Sequence, residues 1–203
     1  MNAFVPAAIA AVVAFFVGAV PFGVLVSRAF YGTDIRQSGS GNIGAANALR
    51  TLGRRGALAV LVLDALKGLV PTVAASLLAG PLAGACAAVA AVVGHCFSPF
   101  LGFKGGKGVA TFLGAAIALW WPAGIAFGLV WGVVVLLSGY ASAGSMLASI
   151  AMAPVLWAGA GRAGLACGLL CALVIVVRHR DNLERLRNGT ENRFRMMKAQ
   201  KQQ

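Results

Sequence analysis

GVATFLGAAIALWWPAGIAFGLVWGVVVLLSGYASAGSMLASIAMAPVLWAGAG, residues 108–161, runs for 54 residues without a charged side chain. A helix needs about 20 apolar residues to cross a bilayer, so this stretch holds two or three spans before Arg162. Charge on either side decides between them. Lys104 and Lys107 stand upstream; downstream lies a tail with Arg178, Arg180, Arg185, Arg187, Arg193, Arg195, Lys198 and Lys201. Basic residues gather in cytoplasmic loops. Two helices followed by the apolar run 163–178 would leave the tail on the wrong face; three return it inside. Trp120-Trp121-Pro122 marks one turn and Ser138-Gly139-Tyr140 the next.

Extended outward, the pattern predicts an all-α integral membrane protein, one domain over 1–203, with seven transmembrane helices. The spans are about 4–26, 56–79, 82–101, 108–120, 122–137, 142–160 and 163–178, followed by a basic tail, 179–203. The loop after the first span carries Arg28, Arg36, Arg50, Arg54 and Arg55, so it too belongs inside. The N-terminus is then outside and the C-terminus cytoplasmic, with Arg162 the one basic residue in an outside turn. The run 163–177 reaches only ~22 Å at 1.5 Å per residue, so Arg162 and Arg178 must snorkel or the bilayer thin.

Composition agrees. The chain is 60% apolar and 11% charged over 203 residues, too little polar surface for a soluble globule. Its net charge of +12 suits cytoplasmic loops and anionic headgroups, and needs no nucleic-acid partner. The uncharged start, residues 1–27, lacks the basic n-region of a signal peptide and is read as a retained helix.

Two glycine-rich loops carry the chemistry: GSGNIGAANALR (39–50) and GHCFSPFLGFKGGKGVAT (94–111). Neither is a soluble nucleotide motif. GSGNIG fits G-x-G-x-x-G, with Asp64 about 20 residues on, but no strand precedes it. Asp64 is three residues from Lys67 in an apolar helix, and the pair is expected to neutralise itself. FKGGKG lacks the first glycine and the Ser/Thr of a P-loop. Cys86, Cys96, Cys167 and Cys171 lack zinc-ligand clustering and read as packing residues. Asn188-Gly189-Thr190 is a sequon on the cytoplasmic side, where it stays idle.

Glycine-rich turns can aim several backbone N–H groups at one anion, and a helix N-terminus adds field. Both loops therefore read as phosphate cradles. In the first, Ser40, Gly41, Asn42 and Asn47 supply donors and Arg50 a fork. In the second, Gly105 and Gly106 lie between Lys104 and Lys107. His95 ends the third span. Ser142 and Ser145 face one side of the sixth, and Arg178, His179 and Asn182 form a polar arc as the chain leaves the membrane. Leu183, Leu186, Phe194 and Met197 among arginines suit an anionic surface.

Together with RHRDNLERLRNGTE, these motifs closely resemble the bacterial PlsY family, the acyl-phosphate:glycerol-3-phosphate acyltransferases. The resemblance runs from the first span to about Glu191, with the three motifs in family order. It implies transfer of a fatty acyl group from acyl phosphate to the sn-1 hydroxyl of glycerol 3-phosphate. Lysophosphatidate and phosphate would be the products, in the first step of phospholipid synthesis at the bacterial cytoplasmic (inner) membrane. There are departures: Ala46 replaces a threonine of the first motif, Tyr140–Ser145 reads YASAGS for YVSLGS, and Cys96-Phe97-Ser98-Pro99 breaks the commoner aromatic-proline order.

An acyl phosphate is already activated, so positioning and charge stabilisation suffice. No Ser–His–acid set or nucleophile elbow is present, and His95 and His179 lack an aspartate at the H-x-x-x-x-D spacing. The expected route is direct attack without an acyl-enzyme, no cofactor and no metal. Lys104 and Arg50 would hold phosphate and His95 orient the hydroxyl or polarise the carbonyl, with Ser40, Asn42, Ser142, Ser145, His179 and Asn182 as supporting donors. Either His95 or a substrate phosphate oxygen could serve as base. An enzyme that makes acyl phosphate is a possible transient partner. The competing class is a membrane transporter of a small anion or organophosphate, which would place its binding groups at mid-membrane in a repeat; no repeat is visible here.

Overall fold

The computed structural model describes residues 4–194; Arg195, Met197, Lys198 and Lys201 lie outside them. No strand occurs among the described residues. Helices α1 (Phe4–Ala19) and α2 (Phe22–Tyr31) form one apolar rod broken at Val20-Pro21, because proline removes a donor and crowds the preceding turn. A 3₁₀ turn (Ile35–Gln37) and α3 (Ala45–Thr51) lead into α4 (Gly53–Cys96). After a second 3₁₀ turn (Pro99–Leu101) come α5 (Val109–Leu119), α6 (Pro122–Ser138), α7 (Ala141–Arg178) and α8 (Arg180–Arg187).

Two of these helices double back. Gly80 (φ 86°, followed by Pro81) and Gly161 (φ 62°) hold left-handed conformations open to glycine alone at little cost. Beyond each, the chain returns on itself: a Cβ on Gly84 would fall 1.9 Å from Ser76 Oγ, and one on Gly168 2.7 Å from Ala153 Cα. The limbs 53–79 and 81–96, and 141–160 and 162–178, are therefore separate segments. With the α1–α2 rod, α5 and α6, they make seven helical segments among the described residues, besides the short α3 and α8.

One segment is short, as its expected bounds of 108–120 imply. Phe4–Tyr31, Gly53–Leu101 and Ala141–Arg178 are long and apolar enough to cross a membrane. α5 has 11 residues and rises only ~16 Å, about half the hydrocarbon thickness. Its N-terminus, and the loop that feeds it, stop at an internal cavity.

Packing follows the small residues. α4 is the hub, touching α1, α5, α3, α7 and α2. A Cβ on Gly94 would strike Phe15 O at 2.1 Å, so α1 and α4 approach backbone to backbone, as close-packed membrane helices do. The main core joins Val92, Cys96, Phe112, Met152, Leu156, Cys167, Cys171 and Ile175, which gives three of the four cysteines the packing role expected of them. Large apolar side chains turn outward instead: Leu77, Leu78, Leu136 and Leu137 are each at least 80% exposed. That is the surface of a protein solvated by lipid.

The loop after the first span is more structured than sequence suggested. Asp34 accepts from the Arg36 backbone N–H at 3.0 Å and binds the guanidinium groups of Arg28 and Arg36 at 2.7 and 2.6 Å. The Arg36 side chain above all holds its carboxyl well below the usual range.

Candidate active site

A cavity of about 420 Å³ opens where α3, the start of α4, α5, α6, the start of α7 and α8 meet. One end is polar, lined by Ser40, Asn42, Asn47, Arg50, Lys107, Ser142, Ser145, His179, Asn182, Arg185 and Glu191. The other is apolar, lined by Leu58, Leu61, Leu113 and Phe127 among others. Leu58 and Leu61 on this wall are 61% and 39% exposed.

The first loop is built around one side chain. Asn47 is buried; its Oδ1 accepts from Ser40 N at 2.8 Å, and its amide reaches the carbonyls of Ile35, Ser38 and Asn42 at 2.9–3.1 Å. Asn42 Oδ1 accepts from Gly44 N at 3.0 Å. Both asparagines spend polar atoms on the loop, and Ser40, Asn42 and Arg50 line the cavity. Gly41 does not line it.

The second loop is attached differently, and here the sequence reading needs correction. Gly105 N donates to Cys96 O at 3.2 Å and Gly106 N to His95 O at 3.0 Å. These amides satisfy carbonyls at the α4 C-terminus, where four have no partner inside the helix, and so do not converge on an anion. Arg178, expected to bind substrate, donates instead to Gly106 O (Nε, 3.1 Å) and Gly105 O (2.9 Å), over the Phe97 ring. The glycines serve closeness: a Cβ on Gly106 would fall 2.1 Å from His95 Nε2. Lys104, Gly105, Gly106 and Arg178 all lie off the cavity wall. Lys104 is exposed, while Lys107 is half-buried and lines the wall.

Lys107 donates to Asn182 Oδ1. Asn182 Nδ2 in turn donates to Glu191 Oε1 at 2.6 Å, beside Ser142 Oγ at 2.8 Å, and Arg185 Nε meets Oε2 at 2.7 Å. Burial opposes ionisation of Glu191, but these donors hold its carboxyl below the ordinary value. Burial, helped by Arg185, pushes the Lys107 ammonium down to about 8. The strap carrying Glu191 is pinned by Phe194, whose N donates to Gly139 O at 2.7 Å and whose ring meets Trp131 edge-on.

Three expected donors are otherwise engaged. Ser142 gives its proton to Glu191. Ser145 gives its own to Ala141 O at 2.8 Å and accepts from Trp131 Nε1. His179 Nδ1 lies 2.7 Å from Ile175 O, an atom that only accepts, so the ring hydrogen sits there and Nε2 is an acceptor. Burial, and then the Lys107 charge, bring its pKa down to about 4, so the ring is neutral near pH 7. The chain turns out of helical geometry at His179 (φ −97°, ψ 11°), which separates it and Asn182 from Arg178 instead of stacking all three on one arc.

At the cavity's deep side lies the group that sequence reading underrated. Asp64 and Lys67 pair at 2.8 Å, as expected, and Lys67 Nζ also donates to Val20 O, freed by the α1–α2 break, at 2.8 Å. But Asp64 also stands 3.7 Å from His95 Nδ1, and both residues line the cavity. Asp64, Arg185 and Glu191 are site residues the sequence analysis did not select. The only signal for Asp64 was an acidic residue in an apolar helix, a functional hint by default in a membrane.

A helical membrane protein with a cavity that joins cationic groups to an apolar wall belongs with enzymes and carriers of amphiphilic phosphates. Comparison narrows this. A family model described as glycerol-3-phosphate acyltransferase matches residues 8–189. The glycerol-3-phosphate acyltransferase of Geobacter sulfurreducens is 48% identical over 90% of this chain and 95% of its own, and that of Cereibacter sphaeroides 43% over 94% and 91%. The crystal structure of PlsY, an integral membrane glycerol 3-phosphate acyltransferase in its glycerol 3-phosphate form, superposes with a TM-score of 0.88 at 36% identity, covering 93% of this chain and 96% of that one. Its lysophosphatidic acid form gives 0.86 at 34% identity, over 93% and 95%. The chain belongs to the glycerol-3-phosphate acyltransferase family.

Proposed function

We propose that this protein transfers a fatty acyl group from acyl phosphate to the sn-1 hydroxyl of glycerol 3-phosphate, giving lysophosphatidate and inorganic phosphate. The observation that carries the reading is the two-ended cavity. Its polar end holds Arg50, Lys107 and Arg185 against Glu191, three positive charges and one negative, net +2. A phosphomonoester near pH 7 carries close to two negative charges. Its apolar arm gives an acyl chain a path to lipid. Val109 and Ala110 bring the N-terminus of α5 to the same wall, adding unpaired N–H groups suited to phosphate oxygens.

The attacking hydroxyl oxygen bonds to the acyl carbonyl carbon while the carbon–oxygen bond to phosphate breaks; the hydroxyl proton leaves on a phosphate oxygen, whose second pKa near 6 makes it a competent base. His95 orients the hydroxyl. Lys107 takes the charge-stabilising part first given to Lys104, with Arg50 and Arg185 beside it. No acyl-enzyme forms, since Ser142 and Ser145 give their protons to Glu191 and to Ala141 O and not to an imidazole. The chain works in the bacterial inner membrane, N-terminus outside and the cavity's polar end at the cytoplasmic face, within reach of an enzyme that makes acyl phosphate.

Purified protein in detergent should form lysophosphatidate from acyl phosphate and glycerol 3-phosphate, and none from acyl-CoA. Turnover without a membrane gradient excludes the transporter reading. Absence of turnover with a transbilayer flux of phosphate ester would establish it.

A further inference from the structure

Helix α6 carries a gap in its cavity face. Phe127, Gly128 and Trp131 all line the cavity, and at 3.6 residues per turn they fall within a ~100° arc. Two are large aromatic side chains; the third has no side chain. A glycine inside a helix costs stability relative to alanine, through backbone entropy, so its presence calls for a reason. Conformation supplies none: α6 is helical from Pro122 to Ser138, and Gly128 does not take a positive φ. Close packing supplies none either. A Cβ on Gly124 would fall 2.6 Å from Ile117 Cγ1 and one on Gly144 2.7 Å from Val135 Cγ2, but a Cβ on Gly128 meets no packing neighbour within 4 Å among the described residues.

The gap does not belong to the lipid face of the helix, which is filled. Ile125, Leu129, Val133 and Leu136 form that stripe, each more than half exposed. Depth bears on what fills the gap instead. α6 ends at Ser138 beside the polar groups, where Gly139 O takes the Phe194 N–H. Trp131, whose indole N–H reaches Ser145, stands nearer that end. Gly128 lies three residues further from it, a rise of ~4.5 Å, at the level of the apolar Phe127.

We propose that Gly128 is a specificity residue for the acyl donor, leaving a notch between Phe127 and Trp131 through which a long acyl chain passes. This rests on the acyl-transfer reading above and assigns one wall residue of the donor's path. The acyl carbonyl reacts among the polar groups, so the chain behind it crosses the level of Gly128 along the wall of Leu61, Leu113 and Phe127. A methylene chain offers no polar atom to be recognised, so the protein selects it by the volume left open to it. A side chain at position 128 would occupy that volume, a turn away from the groups that take glycerol 3-phosphate.

The test uses the purified full chain in detergent, with hexadecanoyl phosphate as donor. Gly128→Leu should raise KM for hexadecanoyl phosphate at least about tenfold and leave KM for glycerol 3-phosphate within about threefold. Gly132 is the matched control: it lies one turn on in the same helix, a Cβ there also meets nothing within 4 Å, and it does not line the cavity. Gly132→Leu should leave both constants within about threefold. Equal rises in both constants for Gly128→Leu, no rise in either, or the same donor effect from Gly132→Leu overturns the assignment. Gly128→Cys gives an independent answer should the leucine variant not fold. Methyl methanethiosulfonate should modify it beyond the labelling of wild type, read by intact mass. Saturating hexadecanoyl phosphate should abolish that extra labelling, and acetyl phosphate should not. Labelling indifferent to hexadecanoyl phosphate shows that lipid or detergent fills the notch, and equal protection by acetyl phosphate shows that the chain does not; either overturns the inference alone. A wild type that turns over no acyl phosphate would sink the acyl-transfer reading, and the inference with it.

Discussion

The two glycine-rich loops reach one cavity by opposite constructions. Residues 39–50 are organised from within: Asn47, buried in α3, gathers the backbone of its own loop, and the loop presents Ser40 and Arg50. Residues 102–108 are organised from without, tied to the end of α4 by two amides and clamped by Arg178 from α7. The difference shows that glycine content alone does not make an anion cradle. In the second loop glycine permits a close approach, to His95, and the charge is delivered by a neighbour.

The sharpest way to break this contrast is Lys107→Ala. Lys107 is the one lysine of its loop on the cavity wall. Loss of a comparable charge-stabilising donor typically costs ~3 kcal/mol, about two orders of magnitude in rate. Steady-state kinetics of the purified variant should show a fall of that size in kcat/KM, with the unfolding temperature little changed. Activity within threefold of wild type would mean that the second loop delivers no charge to the substrate.

Gly106→Ala probes the close approach. An added Cβ must displace the imidazole, which it would meet at 2.1 Å, and overpacking of this kind costs ~1–3 kcal/mol. Activity should drop by roughly tenfold or more, because His95 moves, and the unfolding temperature should fall. If Gly106 were instead an anion donor, its backbone N–H would survive the change and the unfolding temperature would stay put.

Much of this arrangement was legible beforehand. The number of helical segments besides α3 and α8, seven among the described residues, followed from charge and turn residues, because a bilayer tolerates few exceptions to apolar helix and basic loop. The loops stood out since glycine and lysine are both expensive in that setting. What could not be read was which polar atoms were already engaged. Ser142 and Ser145 share a face and reach the cavity, as spacing implied, yet each donates within the protein. Glu191 sits 49 residues from Ser142 in the chain, a separation that periodicity cannot bridge. Lys104 and Lys107 differ by three residues in a segment without helical phase, so spacing gave no rule for choosing between them. Asp64 was matched to Lys67 by its i, i+3 spacing, and its nearness to His95 depended on the packing of the 81–96 limb.

A pH profile offers a finer cut. With its pKa near 8, Lys107 loses its proton in the free enzyme at mildly alkaline pH. The profile of kcat/KM, which reports the free enzyme, should fall above about pH 8, and Lys107→Arg should abolish that break because guanidinium stays charged. At the acid side, His179 has a folded pKa near 4 against an ordinary 6.5. Between those values the unfolded chain binds more protons, so stability rises with pH there. Its contribution is complete above 6.5 and is lost as pH falls towards 4, which thermal unfolding from pH 7 to 4 should register in wild type and lose in His179→Gln.

The smallest effect belongs to Lys104→Ala, and it tests the contrast most directly. Both lysines flank the glycine pair, and the sequence reading assigns the charge-stabilising part to Lys104 and only a binding part to Lys107. The structure separates them by exposure. Lys104 sits on the surface, off the cavity wall, next to Phe103, which is 62% exposed. A surface lysine there acts on a substrate phosphate only through screened, long-range potential, and the Debye length at physiological salt is about 8 Å. Its stem can lie along apolar surface with the ammonium among headgroups, an anchoring role that detergent micelles largely replace. Lys104→Ala should therefore keep kcat/KM within about threefold of wild type in detergent at moderate salt, with any deficit shrinking as salt rises. A loss near that of Lys107→Ala, insensitive to salt, would place both lysines on the substrate and return the loop to the anion-cradle reading.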